Sequence, residues 1–549
     1  MWKYILIIFL LGFLLRIVSL SSYPSGFTPD EASFGYDSYS ILKTGKDQWG
    51  RFMPLSLESF GDFKLPLYSY LSIPFVFIFG LTEFSTRLAG AIFGSFAVVI
   101  LYFLTKELTG SRKTAIVASL FLAISPWHIM LSRGAFEANL ITFFIPATIL
   151  SFIYAENNSK KYYLLSLFLF ILSIYSYHSA RILTPLIVLL FVAWKIIIKK
   201  RKIFMDKYFL VFIFILLTMT VIAFAGYFGT SSRLNSSSYL SWALDEPQRR
   251  FDLLVGGTPT LLLKVFQNPV LAFVSRFAKQ YLSYFSFEFL FTQGPNEATY
   301  GMVPGIGLLW IVEIIFLIGF VFKLIKDFVK GKFNIKYSIL ILSLLLSPIP
   351  GALTVGPGHA ANRVVLMDIF LVIFSSIGFI YIFDNIYKLK YIRNIFFVII
   401  ISVFSFQFLN FFESYVFIQP IRYQSSMIYG MDSLFEKISK YDGMNIIVSR
   451  KISEPHIYYL FYRKIDPLFA QSAANTSWFK YRTETSGWVD QLSDYSIGNY
   501  AFKSFDLKNE KPEENTVYVG FPEDFPKDIV PNEVVNYQNG NSAYYIVKI

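Results

Sequence analysis

Long apolar segments of about 20 residues recur along the first three quarters of the chain, separated by short polar connections. A helix of that length crosses the hydrocarbon core of a bilayer, where it satisfies its own backbone hydrogen bonds. The sequence therefore predicts an α-helical polytopic membrane protein with about eleven transmembrane helices. The predicted spans are residues 2–21, 88–107, 113–131, 136–155, 162–179, 181–198, 208–228, 305–325, 337–354, 364–383 and 394–413.

Positive charge is distributed unevenly over the connections between these spans. One set of alternate loops is rich in Lys and Arg, as in residues 199–207, whereas the opposite short loops carry a single Arg each. Cytoplasmic loops of membrane proteins carry the excess of Lys and Arg. We therefore predict a multi-pass protein of the cell (plasma) membrane with a cytoplasmic N-terminus. The net charge of +12 belongs to these loops, so we expect no nucleic-acid partner.

The segment Leu65–Leu81 is the one ambiguous apolar run. It contains two prolines and is short for a span, and counting it as one would reverse the charge rule for every later loop. We therefore predict a helix that lies along the membrane interface. Residues 22–87, called here the first loop, then form a structured polar loop outside the cell, as does the long loop 229–304.

The first apolar run and the cysteine content constrain the organisation further. The first apolar run contains Arg16 and lacks a small-residue cleavage site, so it is expected to be an uncleaved span rather than a signal peptide. The chain contains no cysteine, which excludes disulfides and thiolate sites.

Residues 418–549 lose the long apolar runs and read as a small extracytoplasmic α/β domain following a transmembrane domain, residues 1–417. Its predicted helices are Met427–Tyr441 and Glu454–Tyr462, and its predicted strands are Asn445–Ser449, Val517–Gly520, Glu533–Tyr537 and Tyr544–Ile549.

The first loop carries the first candidate catalytic residues. Thr28-Pro29-Asp30-Glu31 has the pattern of a helix start, in which Glu31 completes a capping box with Thr28. Asp30 is not needed for that box. A carboxylate held at a helix start just outside the membrane suits a general base that deprotonates an acceptor hydroxyl.

Two further loops carry charged candidates. Lys64 begins the interfacial helix, where it either extends toward lipid headgroups or binds a lipid phosphate. Glu137 enters a span at its outer end, where an idle carboxylate is unfavourable, and we favour a functional role. Arg133, in the same tight turn, is either a substrate-binding residue or the partner of Glu137.

Two His/Arg pairs end other spans on the outer side. His178 precedes Arg181 by three residues, and His359 precedes Arg363 by four. Such pairs would form a phosphate cradle with bidentate Arg donors, or simply face headgroups. A divalent metal remains an alternative, although the histidines and carboxylates have no ligand spacing that supports one, and we predict neither a metal site nor any definite cofactor.

Glu313 and Asp368 lie inside predicted spans. Intramembrane carboxylates mark functional sites by default. They favour a transporter unless they pair within the helix bundle.

The order of these motifs resembles that of the GT-C superfamily of lipid-linked-sugar glycosyltransferases, in the branch of protein O-mannosyltransferases and lipid A aminoarabinose transferases. The resemblance covers about the first 415 residues, most clearly the first 200. It rests on the motifs Asp30-Glu31, Lys64-Leu65-Pro66-Leu67, Phe84-Ser85-Thr86-Arg87-Leu88, Ser132–Glu137 and the pair His359/Arg363. Leu65 replaces a proline common in the family, and Glu137 stands where several relatives have Asp.

The resemblance implies inverting transfer of a sugar from a polyprenyl-phosphate carrier to a protein, lipid or glycan acceptor on the outer face. Asp30 would be the base or would orient the acceptor, with Glu31 beside it, and Glu137 would be the second catalytic acid. Lys64, together with the cradle residues Arg181, His359 and Arg363, would stabilise the leaving phosphate, because fixed cations act best where negative charge develops.

Two alternatives belong to other functional classes. A transporter or lipid flippase of a cell-envelope glycan pathway would also use about eleven spans, but transporters place their binding groups near the midplane, in repeated halves. The acids of this chain lie mainly at the rim, and no repeat is evident. A scaffold protein that used only the C-terminal domain would leave the first loop unexplained.

Overall fold

The computed structural model describes residues 2–60, 63–199, 206–229, 268–295, 301–354, 361–386, 390–473 and 494–549, together with residues 244, 246, 265 and 298. His359 and much of the predicted long loop 229–304 lie outside these ranges. The helices of the first half are α1 (Trp2–Ile17), α2 (Pro29–Thr44), α3 (Leu67–Phe79), α4 (Glu83–Thr109), α5 (Arg112–Ile124), α6 (Pro126–Arg133), α7 (Ile141–Asn157), α8 (Tyr162–Ile174), α9 (Ala180–Lys199) and α10 (Lys207–Gly229).

The second half continues the bundle and then changes to mixed structure. Its helices are α11 (Pro269–Ser283), α12 (Glu313–Val329), α13 (Ile335–Leu346), α14 (Ile349–Ala352), α15 (Leu366–Ile386), α16 (Lys390–Glu413), α17 (Gln419–Arg422), α18 (Met431–Ile438), α19 (Pro455–Tyr462) and α20 (Pro467–Ala473).

The multi-pass architecture is confirmed, with fewer full-length spans than predicted. Within the described ranges, seven helices are long and apolar enough to cross a membrane, and the bent pair α5–α6 makes an eighth. The predicted spans 2–21, 162–179 and 305–325 are helices of 16, 13 and 17 residues. Each of the eleven predicted spans contains a helix or the bent pair, and these three helices are shorter than predicted because the apolar residues beyond them belong to turns. The run Leu65–Leu81 forms the 13-residue α3, which at 1.5 Å per residue is too short to span.

A break between α5 and α6 redirects the chain toward the first loop. The two helices meet at 55°, and Pro126 is the first residue of α6. Proline has no backbone N–H and clashes with the carbonyl four residues earlier, so it ends α5. The break aims α6 at the turn that carries Arg133 and Glu137.

Helices α12 and α15 approach each other closely at a glycine. A Cβ atom built on Gly378 would lie 1.7 Å from the carbonyl oxygen of Phe316, so no larger residue fits there without separating the helices. Small residues at such contacts are typical of membrane helices, whose packing relies on close backbone approach.

The first loop holds a two-stranded ribbon, and the C-terminal domain holds a six-stranded mixed sheet. The strands are β1 (Leu57–Glu58) and β2 (Phe63–Lys64) in the loop, and β3 (Asn445–Ser449), β4 (Tyr495–Ile497), β5 (Tyr500–Lys503), β6 (Thr516–Gly520), β7 (Glu533–Asn536) and β8 (Ser542–Lys548) in the domain. The order in the sheet is β4-β5-β3-β6-β8-β7, with β3 parallel to both β5 and β6 and the remaining pairs antiparallel. The predicted strands and both predicted helices are confirmed to within a few residues, and two strands, β4 and β5, were missed.

The first loop packs against the C-terminal domain through one continuous apolar core. Phe27, Tyr36 and Trp49 of the loop belong to the same buried cluster as Tyr458 and the inner faces of β3, β5 and β6. The hydroxyl of Tyr458 donates to the carbonyl oxygen of Phe27 at 2.7 Å, and that of Tyr36 donates to Ile465 at 2.9 Å. The C-terminal domain thereby holds α2 in place from the side opposite the bundle.

Candidate active site

The start of α2 separates the roles of its two acidic residues. Thr28 caps the helix, Pro29 is its first residue, and Glu31 completes the capping box that the sequence predicted. Because Glu31 turns inward to make the box, Asp30 is left pointing outward, with 46% of its side chain exposed.

Glu31 is enclosed in a buried ion pair. Its carboxylate accepts from Arg87 Nε at 2.8 Å and from the Ala135 backbone N–H at 3.0 Å, and its other oxygen accepts from the Thr28 N–H at 3.0 Å. Glu31 and Arg87 both have no exposed surface. Glu31 therefore ties three segments together and presents no free oxygen to a substrate. The remaining Arg87 donors go to the carbonyl oxygens of Leu20, Ser21, Pro24 and Gly26.

Lys64 forms the ion pair at the centre of the site. The two-stranded β1–β2 ribbon presents it to α2, where its ammonium nitrogen lies 2.6 Å from Asp30 Oδ1. The same nitrogen lies 4.7 Å from the ring centroid of Phe34 and 5.1 Å from that of Phe60. These ring faces attract the cation and leave only 4% of the side chain exposed. Lys64 is thus buried beside Asp30 rather than extended toward headgroups.

Glu137 joins the pair from the turn that follows α6. It begins a short 3-10 helix, Glu137–Leu140, and its side chain is half-buried. Its carboxylate is close enough to interact electrostatically with both Asp30 and Lys64. The bond from Ala135 to Glu31 holds this turn against α2. Asp30 and Lys64 are therefore in contact, and Glu137 lies within electrostatic range of both.

Arg133 has a different environment from the one predicted. Its guanidinium donates to the carbonyl oxygens of Leu15, Val18 and Ser19 at 2.7–3.1 Å, and it lies 5.7 Å from the ring of Tyr415. These carbonyls lie at the end of α1 or just beyond it, where helical donors run out, and only that of Ser19 also accepts from backbone N–H groups, those of Ser22 and Tyr23. Arg133 therefore caps α1 and does not pair with Glu137.

His178 and two arginines form a second group next to Lys64. The imidazole donates from Nε2 to the carbonyl oxygen of Phe63 at 2.8 Å. Burial, together with the charges of Arg181 and Arg363, lowers the pKa of His178 to about 4. The imidazole is therefore neutral at physiological pH and holds β2, while the arginines supply the positive charge. The group therefore contains both residues of the first predicted pair, His178 and Arg181, and Arg363 of the second pair.

Asp37 was not among the predicted site residues, although it lies on the same face of α2 as Asp30, two turns later. Its carboxylate accepts from the Gln48 backbone at 3.0 Å and from the Gln48 side chain at 3.2 Å. Burial and the neighbouring Asp47 raise the pKa of Asp37 to about 8, against the opposing charge of Lys64. Its i, i+7 spacing from Asp30 was the available signal.

A cavity of about 550 Å³ opens on the exposed side of Asp30. Its walls come from the start of α2 and from the C-terminal domain, including Glu454, Phe521 and Tyr537. The cationic group of Arg181 and Arg363 is not part of its lining. Asp30 is therefore accessible from one side and ion-paired on the other.

The intramembrane carboxylates are engaged inside the bundle. Asp368 accepts from the Ser125 hydroxyl at 3.1 Å and interacts with the charge of Arg16, and Glu313 accepts from the Trp310 backbone at 3.2 Å. Among the described residues, no three His, Asp or Glu side chains are grouped so as to hold a metal ion.

Part of the sequence matches a known family, and the fold resembles known structures. Residues 64–222 match the family model of dolichyl-phosphate-mannose-protein mannosyltransferases. No curated protein matches the sequence significantly.

The structure superposes on ArnT from Cupriavidus metallidurans bound to undecaprenyl phosphate, with a TM-score of 0.51 and 10% identity over 99% of this chain and 98% of ArnT. The apo form of the same ArnT gives a TM-score of 0.50 at the same identity and coverage. The oligosaccharyltransferase AglB from Archaeoglobus fulgidus, in complex with an inhibitory peptide and a dolichol-phosphate, matches at a TM-score of 0.46 and 14% identity. That match covers 84% of this chain but only 63% of AglB. A family match across residues 64–222 and the fold of ArnT across nearly the whole chain confirm the resemblance to the GT-C glycosyltransferases.

Proposed function

We propose that the protein is an inverting membrane glycosyltransferase that moves a sugar from a polyprenyl-phosphate carrier to an acceptor on the extracytoplasmic face. The observation that carries the proposal is the 2.6 Å pair of Asp30 and Lys64, with Glu137 in the same electrostatic environment. Support comes also from the mannosyltransferase family match and from the fold shared with an ArnT bound to undecaprenyl phosphate.

Asp30 is the proposed base. An ammonium ion beside a carboxylate favours its charged form, which is the form that accepts a proton. The acceptor hydroxyl gives its proton to Asp30 as its oxygen bonds to the anomeric carbon of the donor sugar. The bond between that carbon and the phosphate oxygen breaks at the same time, from the opposite face, so the configuration inverts.

Negative charge then develops on the departing polyprenyl phosphate. Lys64 faces it from the first loop, and Arg181 and Arg363 face it from the ends of two spans, with His178 supporting the strand of Lys64. Fixed cations at such a position stabilise the charge that forms in the transition state. Glu137 orients the reacting groups between Asp30 and Lys64. His359, in the same predicted loop as Arg363, lies outside the described residues and stays a prediction.

The sidedness of the protein is part of this proposal. The uneven distribution of Lys and Arg supports a cytoplasmic N-terminus and an extracytoplasmic C-terminal domain, and the first loop shares its core with that domain. The site then faces the compartment in which the sugar of a flipped polyprenyl-phosphate carrier is exposed.

The test compares Asp30→Asn with the matched control Asp432→Asn, a substitution of another exposed carboxylate, in cells that otherwise lack the gene. Mass spectrometry of the outer-surface proteins, lipids and glycans reports whether a sugar is added. General-base catalysis is worth about 10²- to 10⁴-fold in rate, so we expect Asp30→Asn to reduce the product by at least about a hundredfold and the control to match wild type. Wild-type product levels with Asp30→Asn would remove Asp30 from catalysis, and identical surfaces with and without the gene would refute the transferase itself.

A further inference from the structure

The cavity beside Asp30 has walls that belong entirely to the first loop and the C-terminal side of the chain. Asp30 and Phe60 come from the first loop, and Glu454, Phe521 and Tyr537 come from the C-terminal domain. None of the lining residues lies in a membrane-spanning helix. A molecule in this cavity therefore reaches Asp30 from the aqueous side, while the lipid phosphate proposed above approaches from the span ends that carry Arg181 and Arg363.

The lining combines aromatic rings with hydroxyl groups. Phe60, Phe521, Tyr537 and Tyr544 contribute rings, and three serines contribute hydroxyls, among them the exposed Ser426. Rings offer flat apolar faces with a polar handle on each tyrosine, and hydroxyls both donate and accept hydrogen bonds. A sugar ring has the complementary surface, with C–H groups on its faces and hydroxyls around its edge.

The charges of the lining disfavour an anionic occupant. Lys451 is the one cation among the described residues that line the cavity, and it is already ion-paired with the buried Asp524. The two lining carboxylates are Asp30 and Glu454. A phosphorylated or carboxylated molecule would bring its charge close to these acids without a cation dedicated to it. A neutral molecule with many hydroxyls avoids that conflict.

Glu454 is held in an unusual backbone conformation on the wall of the cavity. It precedes Pro455 at the start of α19 with φ 49° and ψ 52°, and only 6% of its surface is exposed. A residue with a side chain rarely adopts this left-handed conformation, and such positions are concentrated at binding and catalytic sites. Glu454 also lines the cavity, and a carboxylate accepts hydrogen bonds, so its chemistry suits the hydroxyls of a bound ligand.

We propose that this cavity binds the acceptor and that the acceptor is a neutral saccharide. Its ring stacks on the aromatic wall, Glu454 accepts hydrogen bonds from its hydroxyls, and one hydroxyl is presented to Asp30. This proposal rests on the proposed glycosyl transfer and names its substrate class. It also assigns Glu454 and the aromatic wall to acceptor binding rather than to donor binding.

The test fills the cavity and follows the sugar to its product. Ser426→Trp places a bulky ring in the cavity, and Ser496→Trp places the same ring at an exposed position of β4 that does not line it. Cells carrying each variant are fractionated into polysaccharide, protein and lipid, and mass spectrometry locates the added sugar. We expect it in the polysaccharide fraction, reduced at least tenfold by Ser426→Trp and unchanged by Ser496→Trp. Addition only to protein or to lipid phosphate, or equal product from the two variants, would overturn the proposal.

A second measurement keeps the result independent of folding and of the donor. The purified full-length proteins are applied to an array of neutral oligosaccharides and of the same oligosaccharides carrying phosphate, and their affinity for undecaprenyl phosphate is measured in parallel. We expect binding to neutral members only, weakened at least tenfold by Glu454→Gln, with undecaprenyl phosphate affinity unchanged. Preference for the phosphorylated members, or no effect of Glu454→Gln, would contradict the assignment. Sugar transfer that persists on another acceptor class refutes the saccharide alone, whereas no transfer to any fraction refutes the transferase as well.

Discussion

Replacing Glu31 with Gln should destabilise the first loop without placing any new group at the substrate. Arg87 donates to Glu31 through Nε at 2.8 Å and through Nη2 at 3.3 Å, and neither side chain is exposed. Removing one member of a buried pair leaves an uncompensated charge and costs about 3–5 kcal/mol. The glutamine amide would also direct a donor at Arg87, Ala135 or the Thr28 N–H, where the carboxylate accepts.

Hydrogen exchange measured by mass spectrometry is the appropriate assay, because it reports the stability of individual segments. Each tenfold change in an opening equilibrium corresponds to about 1.4 kcal/mol, so a loss of about 3–5 kcal/mol accelerates exchange about 10²- to 10⁴-fold. The acceleration should appear in peptides from residues 22–60 and spread to residues 431–473, since both segments share one core. Peptides from α15 should exchange as in the wild type.

A double-mutant cycle tests whether the loss of stability comes from the Glu31–Arg87 ion pair itself or from an indirect effect of the substitution. If the buried charge of Arg87 causes the loss, Arg87→Met combined with Glu31→Gln should be less destabilising than the sum of the single variants, by about 1–3 kcal/mol. Exchange within tenfold of wild type in Glu31→Gln, or additive losses in the cycle, would refute the reasoning that Glu31 fixes the loop.

Three further substitutions test the neighbouring groups. Lys64→Met keeps the apolar stem and removes the charge. Because a hydrogen bond to a charged group is worth about 1.5–3 kcal/mol, the affinity for undecaprenyl phosphate should fall about tenfold or more. Unchanged affinity would exclude Lys64 from the donor site. Asp37 keeps its proton up to about pH 8 in the folded state but only to about pH 3.9 when unfolded, so the free energy of unfolding falls as pH rises through this window. Urea unfolding should show a smaller fall with pH in Asp37→Asn than in the wild type. An equal pH dependence in the two proteins would contradict the assignment. His178→Gln retains a donor for the Phe63 carbonyl oxygen and should transfer sugar near the wild-type rate, whereas His178→Ala should transfer it more slowly. Equal rates in the two variants would show that this hydrogen bond does not position Lys64.

The sequence predicted best those features that depend on local pattern. The capping box at Thr28 and Glu31 depends on a pattern of four consecutive residues, and it is confirmed. The strand Asn445–Ser449 was predicted with its observed bounds, because a compact apolar run defines it. The strands Tyr495–Ile497 and Tyr500–Lys503 were missed because each is only three or four residues long, and their pairing with each other and with β3, rather than any apolar run, makes them strands.

Features that depend on distant partners were not predictable from the same patterns. The capping box gave no sign that Glu31 also pairs with Arg87, 56 residues later. Arg133 was predicted to bind substrate or to pair with Glu137, yet its partners are carbonyl oxygens at and just beyond the end of α1, more than 110 residues earlier. The sequence around Arg133 and Glu137 carries no information about the carbonyl oxygens of a distant helix end, and these determine where the guanidinium lies.

Two buried charges of the bundle, Arg16 and Asp368, lie at the break between α5 and α6. Because Pro126 has no N–H, the carbonyl groups at the end of α5 lose helical donors. Arg16 supplies replacements, donating to Ala123 at 3.0 Å and to Leu122 at 3.2 Å. The Leu122 carbonyl also accepts from the Ser125 N–H at 3.3 Å, so the Ala123 carbonyl depends most on Arg16. A carbonyl left unsatisfied inside a membrane costs several kcal/mol.

The same network extends from the break to the helices on either side. Arg16 lies 2.7 Å from His128 Nδ1, and because a guanidinium can only donate, the imidazole accepts there and donates from Nε2 to Thr142 at 2.9 Å. Asp368 accepts from Ser125 at the break itself. A transporter would use intramembrane charges to bind its cargo near the midplane. Here Arg16 and Asp368 stabilise a 55° bend that directs α6 toward the first loop, and the turn after α6 brings Glu137 within electrostatic range of Asp30 and Lys64.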